Sequence, residues 1–282
     1  MIRIAAATSI CLISFAAASG QQAQAPEPQT TPGFPTAQQQ AQFETAKQEA
    51  ATGQWSAALA HLKPLHELLS DDADLTRFTA EVAINGGDTA YALAQLQPLV
   101  TEKPTNWQEI MLMARAYAQA HDVASRDAAL TRLVELHDSH KHAKLNTIEV
   151  FLVERVEVPN GHLDLYYSLV PWSRYKIYEM ARVFNAAGQQ VQRITLESGD
   201  GDQPLWAQQH PDLAAKGMRM FSMDGYTEQL TPDGQHTQTH ATYGFFDGRP
   251  TYDAVRDKMV AIASGKNGPM STTSGIPMAP KQ

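Results

Sequence analysis

An α+β fold is predicted: an N-terminal array of helical hairpins in three repeats, then an antiparallel β-sheet domain with a packed helix. Two observations predict it. Gly53 and Gly87 lie 34 residues apart, and the chain around them repeats in step: Ala46 with Ala80, Ala58 with Ala92, Leu62 with Leu96, Pro64 with Pro98, Leu65 with Leu99. From Ile148 this helical spacing gives way to alternation and to β-branched or aromatic runs separated by glycine-bearing turns. Small residues at two fixed places of a 34-residue period are what stacked helix-turn-helix units need, because helices approach closely only where side chains are small. A length of 282 residues with 43% hydrophobic content suffices for two ordinary domains.

In chain order, Arg3, the apolar run Ile4 to Ala18 and the small residues Ala16 to Gly20 read as a secretory signal over 1–20, cleaved after Ala18 or Gly20. That run is shorter than the about 20 residues needed to cross a bilayer, and no second such segment follows. The chain is therefore expected to be secreted across the inner membrane, to be periplasmic or extracellular, and to have no transmembrane segment after cleavage. Cys11, the only cysteine, falls inside the signal, so the mature chain holds no disulfide, thiol nucleophile or thiolate metal site. Ile10 stands where a lipoprotein signal needs a small residue. Loss of Arg3 takes the net charge from −8 to −9, which makes nucleic acid and anionic membrane surfaces poor partners, and no nucleic acid is expected.

Residues 21–40 are dominated by Gln, Pro, Thr and Ala, with Phe34 the one large apolar side chain, and read as a disordered linker. Helical spacing then predicts a domain over 41–140 with six helices: Ala41 to Thr52, Ser56 to Leu69, Asp74 to Asn85, Thr89 to Val100, Asn106 to Ala120 and Ala124 to His137. Pro64 and Pro98 fall inside the second helix of their pairs, where each removes a backbone hydrogen bond and should bend the helix.

With units begun at Gln39, Ala73 and Trp107, the small residues Ala46, Ala80 and Ala114 share one position, and Ala58 and Ala92 another. Trp55, Tyr117 and Pro104 take further marked positions. This pattern resembles the tetratricopeptide repeat family over about 39–140. The third unit departs from it, with His121 in place of glycine and Arg126 in place of alanine. The resemblance implies a scaffold that holds a peptide or protein element in a groove lined by the first helix of each unit. On this chain that face maps to Phe43 and Lys47, to Arg77, Glu81, Ile84 and Asn85, and to Met111, Arg115 and Gln119. Lys47, Arg77 and Arg115 in an acidic protein have two readings: cations that only solvate an exposed helix face, or a site for a carboxylate-bearing partner, since a guanidinium group holds a carboxylate with two bonds.

The sheet domain, over 145–264, is expected to have strands Ile148 to Val158, His162 to Val170, Tyr175 to Phe184, Gln189 to Glu197, Met218 to Tyr226 and Gln238 to Phe246. Asn160-Gly161 is a hairpin turn by its need for positive φ. Pro211 to Lys216 reads as a short helix, Thr251 to Ala263 as the packed helix, and 265–282 as a disordered tail. A short linker from His140 to Thr147 leads us to expect this domain to dock on the last helices, around Leu130, Leu133 and Val134.

Signatures of chemistry are sparse: the chain has no G-x-S-x-G, no phosphate loop, no G-x-G-x-x-G and no H-E-x-x-H, so no catalytic residue is assigned. His137, His140 and His142 beside Asp138 match no standard metal spacing and read as polar groups at a helix C-terminus; no metal and no cofactor is expected. Aromatic residues are dense in the sheet domain, and Trp172, Tyr243, Phe245 and Phe246 form a candidate surface patch. The leading expectation is a protein-binding or assembly module using the helical groove. The alternative is an enzyme or carbohydrate-binding protein with its site on the aromatic-rich domain.

Overall fold

In a computed structural model of the chain, residues 33–34, 36–169, 176–199, 207–215, 221–230, 236–246, 249–265 and 275–276 are described; for 176–179, 196–199, 213, 221–230, 236–246, 249–250 and 275–276 this covers the backbone alone. The expected signal over 1–20 lies outside the described residues.

Polar side chains set most of the helix starts in the first half. The helices are α1 (Ala37–Ala51), α2 (Trp55–Leu68), α3 (Ala73–Asn85), α4 (Thr89–Glu102), α5 (Trp107–Gln119) and α6 (Val123–Asp138). Thr36 and Gln39 form a capping box on α1, and Asp72, Asp88 and Asp122 accept the backbone N–H of Leu75, Tyr91 and Ser125. The capping box corrects the end of the expected linker over 21–40. It starts α1 at Ala37, and Phe34 packs its ring 5.1 Å from that of Phe43. Helices α2 and α4 run on through Pro64 and Pro98.

Turns repeat along with the helices. Gly53 and Gly87 have φ of 76° and 84°, and His121, one period further on, takes 57°. The third turn therefore keeps the left-handed geometry without a glycine, at a cost of about 1 kcal/mol. Ala46, Ala58, Ala80, Ala92 and Ala114 are all fully buried, as close helix contact requires. Phe43, Leu62, Leu65, Leu75 and Leu96 fill the space between them.

The chain divides into two compact units between Ala120 and His121, so α6 groups with the sheet and not with the helices of the domain expected over 41–140. Arg126 supplies the physical reason. This buried guanidinium donates to both carboxylate oxygens of Asp253, at 2.8 and 3.1 Å, and cannot serve as the small residue of a repeat contact.

In the second unit β1 (Val150–Val158), β2 (Gly161–Ser168), β3 (Lys176–Asn185), β4 (Gln190–Gly199), β5 (Phe221–Leu230) and β6 (His236–Phe246) form one antiparallel sheet in chain order. Asn160 and Gly161 turn β1 into β2 with φ of 71° and 156°, and a side chain on Gly161 would strike the Phe184 carbonyl. Asn185 closes the next hairpin by accepting the N–H of Ala187 and Gln189. The short helix α7 (Pro211–Ala214) lies between β4 and β5 in the chain. Helix α8 (Tyr252–Ala263), capped by Thr251, packs on β1, β2 and β3.

Alternation puts Leu163, Leu165, Ala181, Val183 and Ile194 against Val255, Met259 and Ile262 of α8, which makes this unit's core. A bulge between Leu152 and Glu154 turns the Glu154 carboxylate toward the same helix. The expected tail over 265–282 is corrected at one point: Gly275–Ile276 (β8) pairs its backbone with Arg249–Pro250 (β7). Among the described residues no helix is long and apolar enough to cross a membrane.

Candidate functional site

The predicted groove residues separate into two kinds. Phe43 and Ile84 are buried in the core of the first unit, so they hold the array together and are corrected as groove-lining residues. Their large apolar side chains find neighbours inside the stack; Phe43 meets Phe34 and, edge-on at 5.7 Å, Phe78. Lys47, Arg77, Glu81, Asn85, Met111, Arg115 and Gln119 keep exposed surface.

The three cations all have carboxylate partners. Arg77 Nη1 donates to Glu109 Oε1 at 2.7 Å, and its Nη2 to Asp74. Arg115 donates to Glu81 Oε1 and Asn85 Oδ1, each at 3.0 Å. Lys47 Nζ reaches Glu44 at 3.0 Å and lies 5.4 Å from the centre of the Phe43 ring. Glu109 and Glu44 escape the sequence reading, although a signal exists. Glu81 and Arg115 are 34 residues apart, and Arg77 and Glu109 are 32 apart, so opposite charges recur at like places in successive units.

Exposure decides what these pairs can do. The Glu109 side chain is 2% exposed, and removing Arg77 from it would strand a buried carboxylate. Glu81 and Glu44 are 42% and 46% exposed while Arg115 and Lys47 are 12% and 14% exposed, so in each pair the carboxylate meets solvent and the cation lies mostly covered. Glu81 and Glu44 therefore remain open to water, whereas Glu109 is sealed.

The second unit holds its charges deeper. Glu154 accepts from Arg256 Nε at 2.9 Å, from Arg256 Nη2 at 3.1 Å and from the Tyr252 hydroxyl at 3.1 Å. The Arg126 guanidinium lies 4.4 Å from the centre of the Tyr252 ring and also bonds Asp127. Burial, and then the Glu154 charge, push the Tyr252 phenol well above its ordinary value. Among the described residues every charged member of this cluster is partnered, and the cluster joins α6, α8 and β1. On the opposite sheet face Arg155 holds buried Asp164 with two bonds, at 2.7 and 3.0 Å. Beside them His162 stacks on Phe184 at 4.8 Å, and burial, with Arg155 next, lowers its pKa.

His137 is buried and its ring centre lies 6.5 Å from that of His140. Among the described residues no group of three or more His, Cys, Asp or Glu is placed to hold a metal ion. Of the aromatic patch, Trp172 lies outside the described residues, as do the side chains of Tyr243, Phe245 and Phe246, whose backbone runs in β6. A scan against protein-family models finds no match to this sequence, and a search of curated proteins finds no similar one.

Proposed function

We propose that this chain is an exported protein-binding or assembly module whose helical array takes a carboxylate-bearing partner segment along the first-helix face, in the manner of a tetratricopeptide groove. One observation carries the reading: Arg115 and Lys47 are each held by a glutamate that is more than two-fifths exposed and so can be exchanged for a partner's carboxylate. Arg77 plays a different part. Its pairing with sealed Glu109 ties α3 to α5 and fixes the spacing on which the exchangeable cations sit.

The test follows from that division. A partner is captured by crosslinking in the native envelope, identified, and titrated against the full chain. Reversing Lys47→Glu and Arg115→Glu together should weaken it by at least about tenfold, the equivalent of 1.4 kcal/mol. Unchanged affinity with an unchanged melting temperature sinks the proposal. Arg77→Glu is unsuitable for this purpose, because it would set a second carboxylate against buried Glu109 and unfold the array.

A further inference from the structure

At the carbonyl end of α8, beside the turns that join β1 to β2 and β3 to β4, lies a cleft of about 300 Å³, at the small end of the range for ligand pockets. Pro159, Val183, Val191, Ile262 and Ala263 line it, and none of its lining residues carries a charge. Gln192 lines it as well. This residue sits opposite Val183 in the strand register and is only 7% exposed, yet its side chain makes no hydrogen bond among the described residues. Side-chain atoms sealed from solvent without a partner occur at Glu49, Thr79 and His137, and the Gln192 amide is not one of them. It retains its access through the cleft.

A buried carboxamide offers one acceptor and a donor group, which is what a peptide unit needs in return. The rim brings the end of α8 to the opening through Ile262, Ala263 and Gly265, with the Ile262 carbonyl already accepting the Gly265 N–H. We infer that this cleft binds a neutral peptide-like amide: Gln192 Nε2 donates to its carbonyl, Gln192 Oε1 accepts its N–H, and a short apolar side chain rests on Val183 and Ile262. An ionic ligand would lose its hydration with no opposite charge to meet it. A sugar would need several converging polar side chains. Of the other two carboxamides on the lining, Asn185 is already committed to Ala187 and Gln189, which leaves Asn160 in the β1–β2 turn as the one further polar side chain beside Gln192.

The site lies in the second unit and is independent of the groove reading. Its probe is N-acetyl-alanine N-methylamide, titrated into the labelled full chain and followed by nuclear magnetic resonance, with acetate and glucose in parallel. The amide should move the Gln192 side-chain NH₂ signals and the Val183 and Ile262 methyl signals saturably. Gln192→Leu should weaken binding at least about tenfold with the fold intact, since it removes only the polar pair. Should Gln192→Leu fail to fold, Gln192→Met makes the same test with a flexible side chain. No shift up to the solubility limit, binding that survives loss of the amide, or glucose moving these signals while the peptide does not would each overturn the assignment.

Discussion

The two units spend their charges in opposite ways. In the first, alanines and leucines recurring at the 34-residue period make the core, and ion pairs within one helix or between helices present their carboxylates to solvent, with Glu109 as the sealed exception. In the second, Arg126, Glu154 and Tyr252 are all buried, and they join segments 98 to 127 residues apart in the chain. An array built from near-period contacts needs no charge to select which helices meet, so its rim charges are free to be exchanged. A unit assembled from distant segments uses partnered charges to hold α6, α8 and β1 together, and these cannot be given up.

The sharpest way to break that contrast is Glu154→Ala. It leaves Arg256 without its main partner and the buried Tyr252 hydroxyl without an acceptor, and urea unfolding should show a loss of about 3 kcal/mol. A loss below about 1 kcal/mol would place this cluster with the rim pairs and end the distinction.

Alkaline pH probes the same cluster. Tyr252 has its folded pKa raised by burial and then by Glu154, so its contribution is fully present below the unfolded value of 10.0 and is lost as pH rises toward the folded value. Stability measured from pH 8 to 11 should therefore fall more steeply in the parent chain than in Tyr252→Phe. Parallel curves would show that the phenol ionises equally well in both states.

His121→Gly sharpens the comparison from the side of the repeats. If the third turn is built like those at Gly53 and Gly87, relieving a left-handed histidine should stabilise the chain by about 0.5–1 kcal/mol, after allowing for the extra freedom of glycine when unfolded. Destabilisation would mean that the His121 side chain supports this turn itself.

Much of this architecture was legible in the residues, and the reason is physical. Helix and strand periods, Asn160-Gly161 and the capping aspartates act within a few positions, so Thr251 to Ala263 and His162 to Val170 fall within two residues of α8 and β2. Strand β5 runs on to Leu230 rather than ending at Tyr226, because apolar composition marks a strand but not where its pairing stops, and its expected start at Met218 lies outside the described residues. Side-chain partners were much harder to read. Arg126 stood out only as a break in a pattern, and nothing local points from it to Asp253. Phe43 and Ile84 lie in the core and not in the expected groove because one helix face borders both, and a large apolar side chain settles in the core. Gln192 carries no signal at all, since its environment exists only once β3, β4 and the end of α8 have met.

The smallest expected effect bears most directly on function. A double-mutant cycle with Glu81→Gln and Arg115→Gln should give a coupling of about 0.5 kcal/mol at physiological ionic strength, falling further in 1 M salt. That value is what exchange requires. If Glu81 held Arg115 strongly, a partner's carboxylate would have to repay the loss before gaining any affinity. The matching cycle at Arg77 and Glu109 should give a clearly larger value, because that carboxylate has no water to return to when its partner is removed. Should the two couplings prove equal, Arg115 would be as structural as Arg77. The first-helix face would then keep Lys47 as its one exchangeable cation, and the binding proposal would lose the Arg115 half of the observation on which it rests.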